Sequence, residues 1–244
     1  TDGTLAWLPQ DPRVVAQVEK DRGMYDAINR GYRRAQAPLV AHLNCDEQYL
    51  PGALPRVVDY FAKHPEVDIV FGDVVIVNAR GEYLCERRSL TPQVLHTWTA
   101  SNLAFLTAGT FLRRRVLEEQ QLWFNADYRE AGDQDWALRI AQSGIRAATL
   151  GEFVSVFTET GANLGLNAHT AVERQAFHAT APLGARLLAP LALLHFRLRR
   201  WRAGHYRCQP HDYAIYTPAQ PEQRTRFQVT NPTYRWRRTE ATAA

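Results

Sequence analysis

Through the first 160 residues short apolar runs alternate with helical patterns, and no other feature narrows the possible folds as far. Val14–Val18 reads as a short strand. Asp21 then stands as an N-cap for a helix whose Met24, Tyr25, Ile28 and Tyr32 recur at one-turn spacing. Leu39–Leu43 reads as a buried strand. Pro51 opens a second helix with Leu54, Val57, Val58 and Phe61 on one face, which ends near His64 and Pro65, where proline forbids continuation. Asp68–Gly72 and Val74–Val77 follow as strands, then a turn over Asn78–Gly81. A third helix over Gln134–Gln142, capped by Asp133 and stopped by Gly144, precedes a late strand at Phe153–Phe157. That rhythm predicts an α/β fold, a parallel or mixed sheet flanked by helices. After Gly161 the pattern turns helical, and Pro210–Glu222 is proline-rich and polar enough to predict an irregular arm.

Charge divides the chain unevenly. Residues 196–244 carry ten Arg against Asp212, Glu222 and Glu240, a balance of +7 within an overall +4, so the body is mildly acidic and the tail basic. Cys45, Cys85 and Cys208 are odd in number and lie in no C-x-x-C pair, which suggests neither a disulfide framework nor a zinc ribbon and points to a reducing compartment. The apolar stretch Leu187–Leu194, interrupted by Pro190, falls far short of the roughly 20 residues a membrane-spanning helix needs. The opening Thr1-Asp2-Gly3-Thr4 has no secretion-signal pattern.

In an open α/β sheet ligands sit beyond the carboxyl ends of the strands, which brings Asn44-Cys45-Asp46-Glu47 forward. Its carboxylates and amide are hard oxygen donors suited to Mg²⁺ or Mn²⁺ with substrate phosphates completing the shell, while a solvated turn would use the same residues. Gly132-Asp133-Gln134-Asp135-Trp136 precedes a helix. A carboxylate held at a helix N-terminus stays ionised, as a base must, although capping alone would also place Asp there. Phosphate-loop, dinucleotide, nucleophile-elbow and zinc-protease motifs are absent from the sequence. His42, alternating with apolar neighbours, reads as a packed histidine.

Taken in order, these pieces resemble a family-2 glycosyltransferase of the nucleotide-sugar-dependent GT-A type. Thr1-Asp2-Gly3-Thr4-Leu5 is similar to the second half of the family's first strand-end signature, and Asp21–Gly31 to its D-[KR]-G-x-Y-D-A-x-N-x-G helix. Leu43–Glu47 stands where the family has a metal-binding D-x-D segment, Thr110-Phe111 with Arg113–Arg115 where an acceptor-side strand meets a helix, and Gly132–Arg139 where the catalytic Glu-Asp motif lies. The resemblance covers about residues 1–165 as a glycosyltransferase domain, leaving 166–244 as a C-terminal helical and irregular basic extension. It implies a Rossmann-like mixed sheet entered partway through, without the first βαβ unit. It also implies that Gly132 replaces a Glu.

What the resemblance implies for function is specific. Asp133 would be the general base of an inverting transfer. Asp2, Arg22, Asp26, Asn29, Asn44 and Asp46 would face the nucleoside-diphosphate sugar, with Asp46, and Glu47 in reserve, holding Mg²⁺ or Mn²⁺. Thr110, Asp135 and Trp136 would line the acceptor side. Partners would be the donor and a sugar or lipid-linked acceptor of a bacterial surface polysaccharide or glycolipid, not nucleic acid. Leu187, Leu188, Leu191, Leu194 and Leu198 share a helical face followed by Arg197, Arg199, Arg200, Trp201 and Arg202. Residues 185–207 therefore read either as an interfacial helix on the inner face of the plasma membrane or as a helix docked on the body. The competing class is a non-catalytic sugar- or nucleotide-binding relative of the same fold.

Overall fold

The computed structural model describes residues 3–99, 103–161 and 168–236. In chain order the elements are α1 Thr4–Trp7, α2 Met24–Arg34, β1 Leu39–Val40, β2 Glu47–Tyr49, α3 Ala53–Lys63, β3 Ile69–Asn78, β4 Tyr83–Arg87, α4 Val94–Thr99, β5 Thr110–Arg113, α5 Arg114–Glu118, α6 Gly132–Gln142, β6 Ala147–Glu159, α7 Ala168–Ala179, α8 Leu183–Leu187, α9 Ala189–Arg202, β7 His211–Thr217 and β8 Gln220–Val229.

β3 is the axis of the molecule. Nine of its ten residues are buried, which is the signature of a central strand covered on both faces. Along one edge it pairs in parallel with β6; along the other, β5 and then β4 share it in antiparallel register. β1 extends the sheet beyond β5 and β2 extends it beyond β6, both antiparallel. The two predicted strands, Asp68–Gly72 and Val74–Val77, are therefore one strand carrying a bulge where its pairing with β6 shifts between Phe71 and Val74. Gly72 is dictated by close approach: a Cβ there would come within 2.4 Å of the Val154 side chain on β6.

Alternation along β3 sends Ile69 and Phe71 to one face and Val70 to the other. The first face packs with Tyr25 and Tyr32 of α2 and Trp136 and Ile140 of α6. The second packs against Ala53, Val57 and Phe61 of α3. The predicted α3 face is thus corrected, because Leu54 and Val58 lie outside this four-residue spacing and are exposed.

Three further corrections come from the structure. Val14–Val18 forms no strand and pairs with none among the described residues, and Val15 and Val18 face solvent. Asp21 accepts from the Gly23 N–H rather than capping α2, whose N-cap is Gly23. The stretch predicted as an irregular arm is the β7–β8 hairpin, whose Tyr213, Ile215 and Val229 pack on Val75, Val77 and Val156 of the main sheet. The hairpin thus contributes to the apolar packing on one face of the main sheet. The expected boundary at residue 165 lies outside the described residues.

Candidate active site

The site is organised where two helix N-termini meet. Asp26, in the first turn of α2, accepts from the Arg22 N–H (3.1 Å) and pairs with Arg30 one turn on (2.8 Å). These partners, the Arg22 N–H foremost, hold its carboxyl below the usual range. Asn29 is buried and clamps the backbone of Phe124 in both directions, its amide donating to the carbonyl (2.7 Å) and its oxygen accepting from the N–H (2.9 Å). Both side chains, expected on the donor side, have partners within the protein. Arg22 remains largely exposed, with its guanidinium 3.8 Å from Asp26.

Tyr25 joins α2 to α6. Its hydroxyl donates to the Glu130 carbonyl (3.2 Å) and accepts from the Asp133 N–H (3.1 Å), while its ring stacks on Phe124. The same ring explains Gly132, since a Cβ there would come within 2.7 Å of it.

Asp133 is not the N-cap of α6. Ala131 occupies that position, and the helix entrance is satisfied from elsewhere. Glu173 of α7 accepts from the N–H groups of Arg129 (2.9 Å), Glu130 (2.9 Å) and Ala131 (2.8 Å), and the Tyr25 hydroxyl takes that of Asp133. The Asp133 side chain is half-buried. Burial pushes its carboxyl up to about 6 against the opposing pull of Arg174 and nearby backbone N–H groups. Sequence reasoning missed Glu173 because it lies 42 residues or more from the groups it binds.

The three residues expected on the acceptor side have partners within the protein. Thr110 is buried and donates to the Leu106 carbonyl (3.0 Å). Trp136 has no exposed surface; its indole N–H donates to the Leu122 carbonyl (2.7 Å) and its ring stacks on Phe124. Asp135 pairs with Arg139 at 2.8 Å.

The strand-end segment lies against the same wall. His42 packs edge-on to Phe124 and is hydrogen-bonded to the Tyr32 hydroxyl (3.0 Å), and burial pulls it down to about 4, so it is a packed neutral histidine as expected. Two residues on, Asn44 donates through its backbone and its amide to the two oxygens of Glu47 (3.0 and 3.1 Å). Glu47 is buried, and burial pushes it up to about 7. Asp46, partly exposed, has no hydrogen-bond partner among the described residues. One available carboxylate fits a cation that takes its remaining oxygens from phosphate and water. Among the described residues no three His, Cys, Asp or Glu side chains form a metal cage. Asp2 lies outside the described residues.

Asp73 was also missed, although a lone acid inside the apolar run of β3 was a visible signal. It accepts from the Ser89 N–H (2.8 Å), and burial pushes it up to about 6.

A curled mixed sheet with helices on both faces and carboxylates at its mouth defines an α/β protein of the GT-A fold. The TarS structure from S. aureus (residues 1–349, solved with UDP-GlcNAc) superposes with a TM-score of 0.56 at 16% identity, covering 83% of this chain and 61% of that one. The profile described as glycosyl transferase family 2 matches residues 1–121, and through this N-terminal half the chain belongs to that family. It is 24% identical over 129 residues to the amylovoran biosynthesis glycosyltransferase AmsE of Erwinia amylovora, covering 48% of each protein. It is 25% identical over 194 residues to a PGL/p-HBAD biosynthesis glycosyltransferase of Mycobacterium tuberculosis, covering 78% of this chain and 69% of the relative. The chain thus spans about half the length of the AmsE relative and under two thirds of the TarS chain.

Proposed function

We propose that this protein transfers a sugar, with inversion, from a nucleoside-diphosphate sugar to a hydroxyl acceptor in bacterial surface polysaccharide or glycolipid synthesis. The observation that carries the reading is Asp133: a half-buried carboxylate at a helix entrance whose backbone donors are satisfied by Glu173 and Tyr25, so that it is free of the capping role. Family membership and the names of the relatives support the reaction class.

In this reaction the acceptor hydroxyl attacks the anomeric carbon as the diphosphate departs from the opposite face. Asp133 accepts the hydroxyl proton, with a carboxyl near 6 that is mostly ionised at neutral pH. Exposed Arg22 supplies positive charge toward the diphosphate. Asp46 would hold Mg²⁺ or Mn²⁺, which neutralises charge building on the leaving group. Asn44 takes no direct part in this reading; it shapes the turn that presents Asp46. The acceptor is a sugar or a lipid-linked sugar, met at the cytoplasmic face of the membrane through residues 185–207.

Incubation with nucleoside-diphosphate sugars and candidate acceptors tests the reading. Release of free nucleoside diphosphate with a glycosylated product is expected. Release of pyrophosphate would indicate nucleotidyl transfer, and donor binding without any release would indicate a non-catalytic module.

A further inference from the structure

The C-terminal helices settle which side of α9 is docked, and it is not the leucine side. Ala192 and Phe196 are buried, His195 meets His96 of α4 at 3.1 Å, and Arg199 donates to the carbonyl and hydroxyl oxygens of Thr91 (3.1 and 3.0 Å). Arg199 therefore belongs to the docked face rather than to a basic surface. At about 100° per residue the opposite side of α9 carries Leu191, Leu194, Leu198 and Trp201 as one stripe, with Leu187 at the end of α8 just before it. Leu187 is 73% exposed, Leu191 62%, Leu194 64% and Trp201 59%. Arg197 and Arg202, both exposed, border the stripe on opposite sides.

Charge identifies the occupant. From Arg174 to His211 the chain has seven Arg and no Asp or Glu, so no carboxylate of this stretch offsets the exposed Arg197 and Arg202 that border the stripe. A second copy of this chain would bring the same positive charge to the interface. An anionic lipid surface accepts the leucines and tryptophan at its acyl boundary and the arginines at its headgroups.

We propose that the α8–α9 stripe seats the protein on an anionic bilayer and that this seating presents lipid-linked acceptors to Asp133. The second half deepens the transferase reading and rests on it; the seating itself requires no reaction. The two sites share one helical layer. α9 binds α4 through the two histidines, His178 of α7 is hydrogen-bonded to the carbonyl of Trp98 on α4 (2.6 Å), and α7 supplies Glu173 to the entrance of α6.

Co-sedimentation of the full chain with phosphatidylcholine vesicles, with and without phosphatidylglycerol, tests the seating. The parent should sediment with the phosphatidylglycerol vesicles and be released by raised salt. Because both leucines are exposed, L191E/L194E should melt as the parent does while its partitioning falls by roughly 100-fold. A parent that stays in the supernatant, or a double variant that sediments equally, overturns the proposal. So does a parent dimer that this variant converts to monomer without any vesicle binding, which would make the stripe an interface between copies. Sedimentation without sugar transfer to any acceptor would leave the seating intact and remove the transferase reading; transfer to a soluble acceptor without sedimentation would do the reverse.

Discussion

At the residue scale, function turns on which carboxylates are already occupied. Asp26, Glu47, Asp135 and Glu173 each have hydrogen-bond or ion-pair partners inside the protein, and the proposed reaction rests on Asp46 and Asp133. Asp46→Asn keeps the side chain's shape but removes its charge, so transfer should fall by roughly 100-fold and recover only in part with excess Mn²⁺. Unchanged activity across a metal titration would deny Asp46 the cation. Gly132→Ala forces a methyl against the Tyr25 ring and should lower stability by about 1–3 kcal/mol in a denaturant melt. A melt identical to the parent's would mean that the ring yields. The motifs around these residues were legible in the sequence, because Asp21–Gly31 and Gly132–Arg139 are local. The partners were not, since neither the Tyr25 hydroxyl nor Glu173 is near Asp133 along the chain.

At the scale of elements, α2, α3, β3 and α6 could be read from apolar spacing, whereas the elements missed or misread are those that tertiary contacts decide. Val14–Val18 has a strand's composition, but no strand pairs with it. β7 alternates buried Tyr213, Ile215 and Thr217 with more exposed neighbours, a two-residue period that the surrounding prolines obscured. Ile215→Ala should therefore cost about 2–5 kcal/mol, the penalty of a core truncation, where an irregular arm would lose almost nothing. The entrance of α6 makes a second test. Glu173→Ala strips the acceptor from three N–H groups and should cost about 1–2 kcal/mol while reducing transfer, whereas Glu173→Gln, which keeps an acceptor, should restore part of both. Equal stability for all three proteins would remove Glu173 from the entrance.

For the whole molecule, one sheet carries both the strand-end turn with Asp46 and the α6 entrance with Asp133, and α7 and α9 pack on α4 beside α6. Three raised carboxyls set part of its pH response. Glu47 near 7 and Asp73 and Asp133 near 6 take up protons in the folded state before the unfolded chain does. Their contribution to stability therefore rises as pH falls from about 7 toward 4. His42, His96 and His205, each pulled to about 4 chiefly by burial, act in the opposite sense over about 6.5 to 4. Activity follows Asp133 alone and should decline as pH falls through about 6. Whether Asp133 serves as a base or as a cap is decided by comparing Asp133→Asn with the parent for transfer rate and melting temperature at pH 7.5. A base at this position requires a rate lower by roughly 10²- to 10⁴-fold with the melting temperature unchanged or slightly higher, because a desolvated charge is gone. Transfer at the parent rate would contradict it.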